Sequence, residues 1–377
     1  MSLNHLPDPV LVTNQRDLHE LIATLTQQRV IAVDTEANSL FAYKERVCLI
    51  QFSVPENDYL VDPLEIGDIS PLGAIFSSPK IEKIFHAAEY DILVLKHDFH
   101  FEFQKLFDTM LAARILGWKS FGLSSILKSE FGISANKKYQ RANWGQRPIP
   151  TEMLSYAQVD THYLIPLRER MKSELVSSNR WDLAQEDFQR LCHVSPNQDS
   201  KKRVDPWRIN GARDLDSKQV AVLSELCKFR DDKARELDRP LFKVISDRSL
   251  INIAAASPVS YKTLETVPGL SQKQARWIGR GLLNAVKRGL KNQPPQRPKK
   301  RRHDPAYINR VEVLRTWRKE TARGLDVESD VVLPKDLLYA LAQNNPENSQ
   351  EMDKILVSVP WRKAKFGDTI FDLLKSS

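Results

Sequence analysis

Two carboxylates stand two positions apart where an apolar run ends. In VIAVDTEANSL, residues 30–40, the first four residues predict a buried strand that leads into Asp34 and Glu36. Alternate side chains of a strand point to the same face, so these carboxylates would lie side by side. Like charges this close raise each other's pKa unless a cation lies between them. The stretch by itself leaves two interpretations, a cation-binding site or an ordinary strand end that enters a solvated loop.

Two further segments place acidic side chains in comparable settings. Asp91 stands at the start of an apolar helical run, directly after the predicted strand IEKIFHA. Tyr156 and Asp160 are four residues apart in a predicted helix, so the phenol and the carboxylate lie on one face. Taken singly, each has a structural explanation: Asp91 as an acid favoured at a helix N-terminus, Asp160 as a partly exposed acid, and Tyr156 as a core aromatic.

Taken together, these residues resemble the DEDDy group of 3′→5′ exonucleases, which have a ribonuclease H-like fold. The segments that carry the resemblance are RVCLIQFS, HAAEYDILVL and QRANWGQRPIPTEMLSYAQVDTHYLIPL, all of which are similar to ribonuclease D. One departure is Asn143, which precedes a tryptophan where most relatives are expected to have aspartate. This position lies outside the set of four acids and concerns only details of the pocket.

The resemblance implies a metal-dependent 3′→5′ exoribonuclease that releases nucleoside 5′-monophosphates. The four carboxylates, Asp34, Glu36, Asp91 and Asp160, would hold two divalent ions, Mg²⁺ or Mn²⁺, which favour oxygen ligands. One ion would hold the attacking water, and the other would stabilise the departing 3′-oxygen. Tyr156 would orient the water, because a phenol with the usual pKa of about 10 is a poor base at neutral pH. These five residues are the expected catalytic set.

An internal repeat occupies the C-terminal half of the chain. The 33 residues from Leu226 match the 33 residues from Leu314 without gaps, with ten identities that include Arg230/Arg318. Both copies resemble the HRDC domain, a small helical bundle that binds nucleic acid or partner proteins. Two such copies behind a DEDDy domain form the arrangement of bacterial ribonuclease D. The second copy diverges, with VPWRKAKFGD where the first has VPGLSQKQARW.

The pattern of strands and helices predicts an α/β N-terminal domain followed by all-α modules. Strands that pair as hairpins come first and strands mixed with helices follow, which indicates a ribonuclease H-like mixed sheet with flanking helices. Beyond residue 181 the strand signals largely stop. The predicted divisions are an exonuclease domain (1–195), a first HRDC-like domain (204–292), a basic proline-rich linker (293–305) and a second, divergent HRDC-like domain (306–377).

Charge is unevenly distributed between the two halves. Residues 1–195 contain 20 Lys+Arg against 25 Asp+Glu (−5), and the remaining 182 residues contain 36 against 23 (+13). This asymmetry favours cation chemistry in the first part and polyanion binding in the second. RNA is therefore the expected partner, and the resemblance implies tRNA precursors and other structured RNA 3′ ends. No individual RNA-binding residue is assigned. The segment TVPGLSQKQARWIGRGLL, from Thr266, fits either a helix-hairpin-helix phosphate-binding turn or an ordinary interhelical turn.

Several classes of protein are excluded or made less favourable. The chain has no apolar run long enough for a membrane span, no visible signal peptide and no G-x-x-x-x-G-K-[ST] motif. We therefore expect a cytoplasmic monomer with no membrane partner and no nucleotide cofactor, and its three scattered cysteines are expected to be buried or incidental thiols. Two alternatives remain: a DNA 3′→5′ exonuclease of the proofreading or Werner type, and a non-catalytic RNA-binding scaffold. Retention of all four acids argues against the scaffold.

Overall fold

The computed structural model describes four stretches of the chain, residues 6–134, 137–196, 204–297 and 304–376. Residues 298–303, at the centre of the predicted basic linker, lie outside them. The described residues form two compact units. The first unit comprises residues 6–37, 47–196 and 304–376, and the second comprises residues 38–46 and 204–297.

A six-stranded mixed sheet forms the centre of the first unit, in the spatial order β1-β4-β3-β2-β5-β6. Its strands are β1 (Val10–Val12), β2 (Val30–Ala37), β3 (Val47–Ser53), β4 (Asp58–Val61), β5 (Glu82–Phe85) and β6 (Leu106–Asp108). Strands β2, β3 and β4 form an antiparallel meander, whereas the pairs β1/β4, β2/β5 and β5/β6 are parallel. The predicted α/β class, the mixed sheet and the meander are confirmed.

Helices cover both faces of this sheet, so β3 is buried along its whole length. They are α1 (Gln15–Thr26), α2 (Pro63–Ile66), α3 (Gly73–Phe76), α4 (Glu89–Phe99), α5 (Thr109–Leu116), α6 (Leu123–Phe131), α7 (Thr151–His162), α8 (Leu164–Ser177) and α9 (Trp181–Cys192). Leu18 of α1 and Ile92 of α4 belong to one apolar core, and Leu167 of α8 and Phe188 of α9 belong to another. No helix among the described residues is both long and apolar enough to cross a membrane.

Two helix predictions are modified by the structure. The long helical pattern from Thr151 is divided into α7 and α8, because Pro166 has no N–H to continue the α7 hydrogen-bond ladder. The pattern FDTMLAARILG begins in strand β6, and helix α5 starts only at Thr109. Asp108 sets this start, since its carboxylate accepts hydrogen bonds from the N–H groups of Met110 and Leu111.

The divergent helical module belongs to the same compact unit as the sheet. Its helices are α15 (Pro305–Leu325), α16 (Ser329–Val332), α17 (Lys335–Asn344), α18 (Ser349–Ile355) and α19 (Pro360–Lys375). The module packs around its own apolar core and contacts α9 through Arg362, whose side chain is buried and donates to Glu186 and Asp187. The predicted domain boundaries stay predictions, but the second module is not separate from the sheet-containing part of the chain in this structure.

The second unit is all-α, as predicted. Its helices are α10 (Ser217–Glu236), α11 (Leu241–Val244), α12 (Asp247–Ala256), α13 (Tyr261–Glu265) and α14 (Gln272–Lys291). The turn between α13 and α14 is held internally, since Ser249 donates to the Gly269 carbonyl and Asn252 to the Pro268 carbonyl. These contacts fix the turn through its carbonyl groups, and both interpretations of this segment stay predictions. The cysteines of the chain, Cys48, Cys192 and Cys227, are buried free thiols, as expected.

Candidate active site

Three of the predicted acids meet at the end of strand β2. Asp34 and Glu36 lie on β2 with their side chains on one face, and Asp160 comes from helix α7. One carboxylate oxygen from each of the three lies within 4.8 Å of the others. The strand period of two and the helix that covers the strand therefore bring together residues that are 126 positions apart in sequence.

Helix α7 is fixed over the sheet by polar contacts on either side of Asp160. The hydroxyls of Ser53 on β3 and Thr161 are 2.7 Å apart. Asp58 on β4 accepts a hydrogen bond of 2.7 Å from the Gln158 amide and lies 2.8 Å from a ring nitrogen of His162. These contacts orient the helix, and they account for two polar groups, Ser53 and Asp58, that are almost fully buried.

The fourth acid, Asp91, lies in the first turn of helix α4 and is buried. Its Oδ1 accepts a hydrogen bond of 2.5 Å from the hydroxyl of Thr35, the residue between the two acids of β2. The chain enters α4 through Ala87, which has a left-handed φ of 63°. Asp108 accepts from the N–H groups of Ala87 and Ala88 and so stabilises this entry. Asp91 is thereby linked to the strand that carries Asp34.

Asp108 is a further buried carboxylate in this region, but its surroundings differ from those of the four acids. It accepts hydrogen bonds from four backbone N–H groups, two before α4 and two at the start of α5. A carboxylate satisfied in this way has a structural role as a cap. Asp108 is not among the acids expected from the sequence, and its position directly before a helix is the local signal of this capping role.

Burial and mutual repulsion raise the pKa of every acid in the site. Burial, followed by repulsion from Asp160 and Asp91, raises the pKa of Glu36 to about 9. The pKa of Asp34 is also raised well above its ordinary value, by burial and then by the other three acids. Burial raises the pKa values of Asp91 and Asp160 to about 7 each, although hydrogen bonds from Thr35 and Tyr156 oppose the shift. The carboxylates therefore repel one another when they are ionised, and a bound cation would stabilise the ionised cluster.

Tyr156 lies beside the acids, as the sequence predicted, and donates a hydrogen bond to Asp160. Burial, and then the charges of Asp160, Glu36 and Asp34, raise the pKa of the phenol above its ordinary value. The ring also contacts the buried Trp144, with ring centroids 6.1 Å apart. Tyr156 is thus a rigidly held, protonated hydroxyl donor at the edge of the acid cluster.

The donor set fits hard divalent cations. The site contains oxygen donors only, from four acids that sit too close together to be ionised at once without a counter-charge. The chemistry of the residues therefore matches the metal site expected from the sequence.

Two neighbours of the acids were not found by sequence reasoning. Thr35 lies between the two acids of β2, and its hydroxyl joins Asp91 to this strand. Gln51 on β3 lies directly opposite Asp34 across the β2/β3 pair and is fully buried. Neither polar atom of its amide has a hydrogen-bond partner among the described residues. Only the strand register, which the sequence does not specify, reveals that Gln51 neighbours Asp34.

Asn143, the departure from the expected family pattern, directly precedes Trp144 in the chain. Its backbone carbonyl accepts a hydrogen bond of 3.2 Å from the N–H of Gln146. Trp144 packs against Tyr156, so Asn143 is next in the chain to a residue that contacts the site, and it could act on the site through these rings. This effect stays a prediction.

Comparisons with protein families cover most of the chain. The family model described as 3′-5′ exonuclease matches residues 9–176, and the HRDC domain model matches twice, at residues 219–286 and 308–374. All four acids and Tyr156 lie within the exonuclease match. Each HRDC match contains one copy of the internal repeat.

Individual relatives agree with these models. Ribonuclease D from Nitrobacter hamburgensis is 27% identical over 96% of this chain and 94% of its own length. The crystal structure of ribonuclease D from Escherichia coli, described as an exoribonuclease involved in structured RNA processing, superimposes with a TM-score of 0.70 at 26% identity, covering 98% of this chain and 99% of that one.

A longer relative shows the same likeness over part of its length. Protein RRP6-like 1 from Arabidopsis thaliana is 29% identical over 85% of this chain, which spans 50% of that relative's length. With both kinds of family model matched in the expected order and the bacterial relatives matched end to end, the chain belongs to the ribonuclease D family, in which a 3′-5′ exonuclease domain precedes HRDC domains.

Proposed function

We propose that this protein is a metal-dependent 3′→5′ exoribonuclease. The observation that carries the proposal is the convergence of Asp34, Glu36 and Asp160 within 4.8 Å, with Asp91 linked through Thr35 and Tyr156 bonded to Asp160. A structural explanation of each acid alone does not account for this convergence, because buried carboxylates without counter-charges destabilise a fold.

The residues of the chain have distinct roles in this proposal. Asp34, Glu36, Asp91 and Asp160 would be the metal ligands, with Mg²⁺ and Mn²⁺ as the matching ions. When bound, a pair of such ions supplies an activated water and stabilises the charge that develops on the leaving 3′-oxygen. Tyr156 orients the water through its hydroxyl and keeps its own proton. Thr35 holds Asp91 in position.

The substrate proposal is the 3′ end of RNA, tRNA precursors and other structured RNAs above all, with nucleoside 5′-monophosphates as products. It is supported by the family membership and by the +13 charge of residues 196–377, which would attract phosphate. We also propose that the protein acts as a monomer in the cytoplasm.

The proposal is tested by digestion of a 3′-extended tRNA, a single-stranded RNA and a single-stranded DNA side by side. With Mg²⁺ or Mn²⁺, purified protein is expected to shorten the RNAs one nucleotide at a time and to stop when a chelator is added. Asp160→Asn should abolish turnover, whereas Glu152→Gln, which neutralises an exposed acid of the same helix, should retain it. A strong preference for the DNA would support the alternative exonuclease, and full activity of Asp160→Asn would refute the assignment of this ligand.

A further inference from the structure

Helix α14 of the first HRDC module has an exposed surface on which all the charged residues are basic. Its 20 residues, Gln272–Lys291, include six basic residues and no acidic residue. With about 100° between successive residues, all six fall within a sector of about 120°. The six are Lys273, Arg276, Arg280, Lys287, Arg288 and Lys291, and every one of them is exposed. We call this sector the α14 basic face. It extends for about 27 Å along the helix axis.

The opposite side of α14 fixes the direction of this face. Ile278, Leu282 and Val286 are buried in the core of the module. At Gly289, a Cβ would lie 2.3 Å from the Cα of Val222 on α10, so the two helices approach closely there. Only glycine permits this approach, and the contact prevents α14 from rotating. The basic face is therefore held towards solvent by packing.

Most of the positive charge on this face is uncompensated. Arg288 forms an ion pair of 2.9 Å with Glu225. The other five basic side chains have no carboxylate within ion-pairing distance in the part of the chain that the structure describes. A solvated helix surface in a soluble protein usually mixes the two signs of charge. A row of cations without acids is suited to successive phosphates.

One aromatic side chain lies within the basic face. Trp277 stands beside Arg276 and on the same side as Arg280, and 44% of its surface is exposed. The exposed part of the indole offers a flat surface on which an unpaired base can stack. Double-stranded RNA keeps its bases inside the helix, so this combination favours a single strand.

The last helix of the second module lacks these features. Helix α19 contains Asp368 and Asp372 among its basic residues. Its Arg362 is 1% exposed and is committed to Glu186 and Asp187 of α9, and Lys363 pairs with Asp353. The same helix of the two related modules thus differs in use: α19 attaches its module to the catalytic domain, whereas all the basic side chains of α14 except Arg288 lack an acidic partner among the described residues.

We propose that the α14 basic face binds single-stranded RNA, with phosphates along Arg276, Arg280 and Lys287 and one base stacked on Trp277. The second module contributes no equivalent site. This proposal rests on the proposed exoribonuclease function. The α14 basic face would bind the RNA strand that the acid cluster cleaves.

The test measures binding of a 5′-labelled single-stranded RNA by the full-length protein carrying Asp34→Asn, in chelator, over a series of salt concentrations. The variant Arg276→Glu/Arg280→Glu/Lys287→Glu should weaken binding at least about tenfold. Loss of three phosphate contacts should also reduce the slope of log affinity against log salt by about 2, at about 0.7 per contact on a single strand. Trp277→Ala should weaken binding about tenfold through loss of one stacked base, and Trp277→Phe should restore most of it.

The matched control is Lys319→Glu/Arg323→Glu/Lys365→Glu, which makes the same change of net charge at exposed positions of the second module. It should affect binding much less. An equal loss of RNA affinity in both triple variants would overturn the proposal. Unchanged RNA affinity in the α14 variant would also overturn it, and would favour an acidic protein as the partner of the α14 basic face. Failure of the unmodified protein to hydrolyse any RNA would instead refute the proposed function.

Discussion

The hydroxyl of Thr35 donates a hydrogen bond of 2.5 Å to Oδ1 of Asp91. Thr35 lies between the two acids of strand β2, and Asp91 begins helix α4, so this bond connects the two elements that carry three of the four acids. It also lowers the pKa of Asp91, against the effect of burial. The short segment Asp34-Thr35-Glu36 thus supplies two acids on one face of the strand. On the other face it supplies Thr35, the hydrogen-bond partner of a third acid, Asp91.

Removal of this bond should weaken metal binding more than folding. Thr35→Val keeps the shape of the side chain but leaves Asp91 without its donor. Loss of such a partner of a metal ligand costs about 10- to 100-fold in metal affinity. Calorimetric titration with Mn²⁺ should show this loss, and Thr35→Ser should recover most of the affinity. Wild-type affinity in Thr35→Val would mean that the bond does not orient Asp91.

Without metal, the protein should become less stable as pH rises. The folded-state pKa of Glu36, about 9, lies above its ordinary value of 4.5. In this interval the folded state holds a proton that the unfolded state has released, so the free energy of unfolding falls with pH. The pKa values of about 7 at Asp91 and Asp160 act in the same direction. In chelator, the melting temperature should therefore decrease between about pH 5 and pH 9.

Two comparisons separate this effect from general alkaline destabilisation. Glu36→Gln should have a smaller pH slope in chelator, because the glutamine has no proton to release. Saturating Mg²⁺ should raise the melting temperature of the wild-type protein most at the alkaline end, where the ligands are ionised. Identical slopes for wild type and Glu36→Gln would exclude Glu36 as a source of the pH dependence.

Tyr156 should affect the rate of hydrolysis and not metal binding. Tyr156→Phe keeps the ring between Trp144 and Tyr139 but removes the hydroxyl that orients the water. We expect kcat to fall roughly 100-fold, the size of effect seen when a positioned hydrogen-bonding group is lost. KM for a short RNA and the affinity for Mn²⁺ should change little. If Mn²⁺ affinity falls in parallel with kcat, the hydroxyl acts by holding Asp160 in place.

The sequence predicts the acids and the tyrosine of the site better than the contacts between residues that are distant in the chain. Asp34 and Glu36 can be placed on one face because the strand period is local, and Tyr156 can be placed beside Asp160 by the helix period. Gln51 and Thr35 could not be found, because their importance depends on strand register and on a contact with Asp91 across 56 residues. Long-range contacts of this kind leave no periodic signal in the chain.

A buried arginine is one of the contacts that place the second HRDC module. Arg362 was visible in the sequence only as part of a divergent segment, since nothing local indicates that its partners are Glu186 and Asp187 on α9. The guanidinium also donates to the Val331 carbonyl, so its polar groups are satisfied in several directions. Glu186 in turn accepts from the backbone N–H of Trp361.

Arg362→Met should therefore be strongly destabilising. The substitution leaves the carboxylate of Glu186 buried without its counter-charge, a change that typically costs about 3–5 kcal/mol. Urea unfolding should show a loss of this size. The control is Lys363→Met, one residue along the same helix, which removes a half-exposed pair with Asp353 and should cost no more than about 1 kcal/mol. Arg362→Met/Glu186→Gln should recover part of the loss, because the buried charge is then absent. Equal effects of the two single substitutions would show that α19 is attached to α9 by its apolar contacts and not by this ion pair.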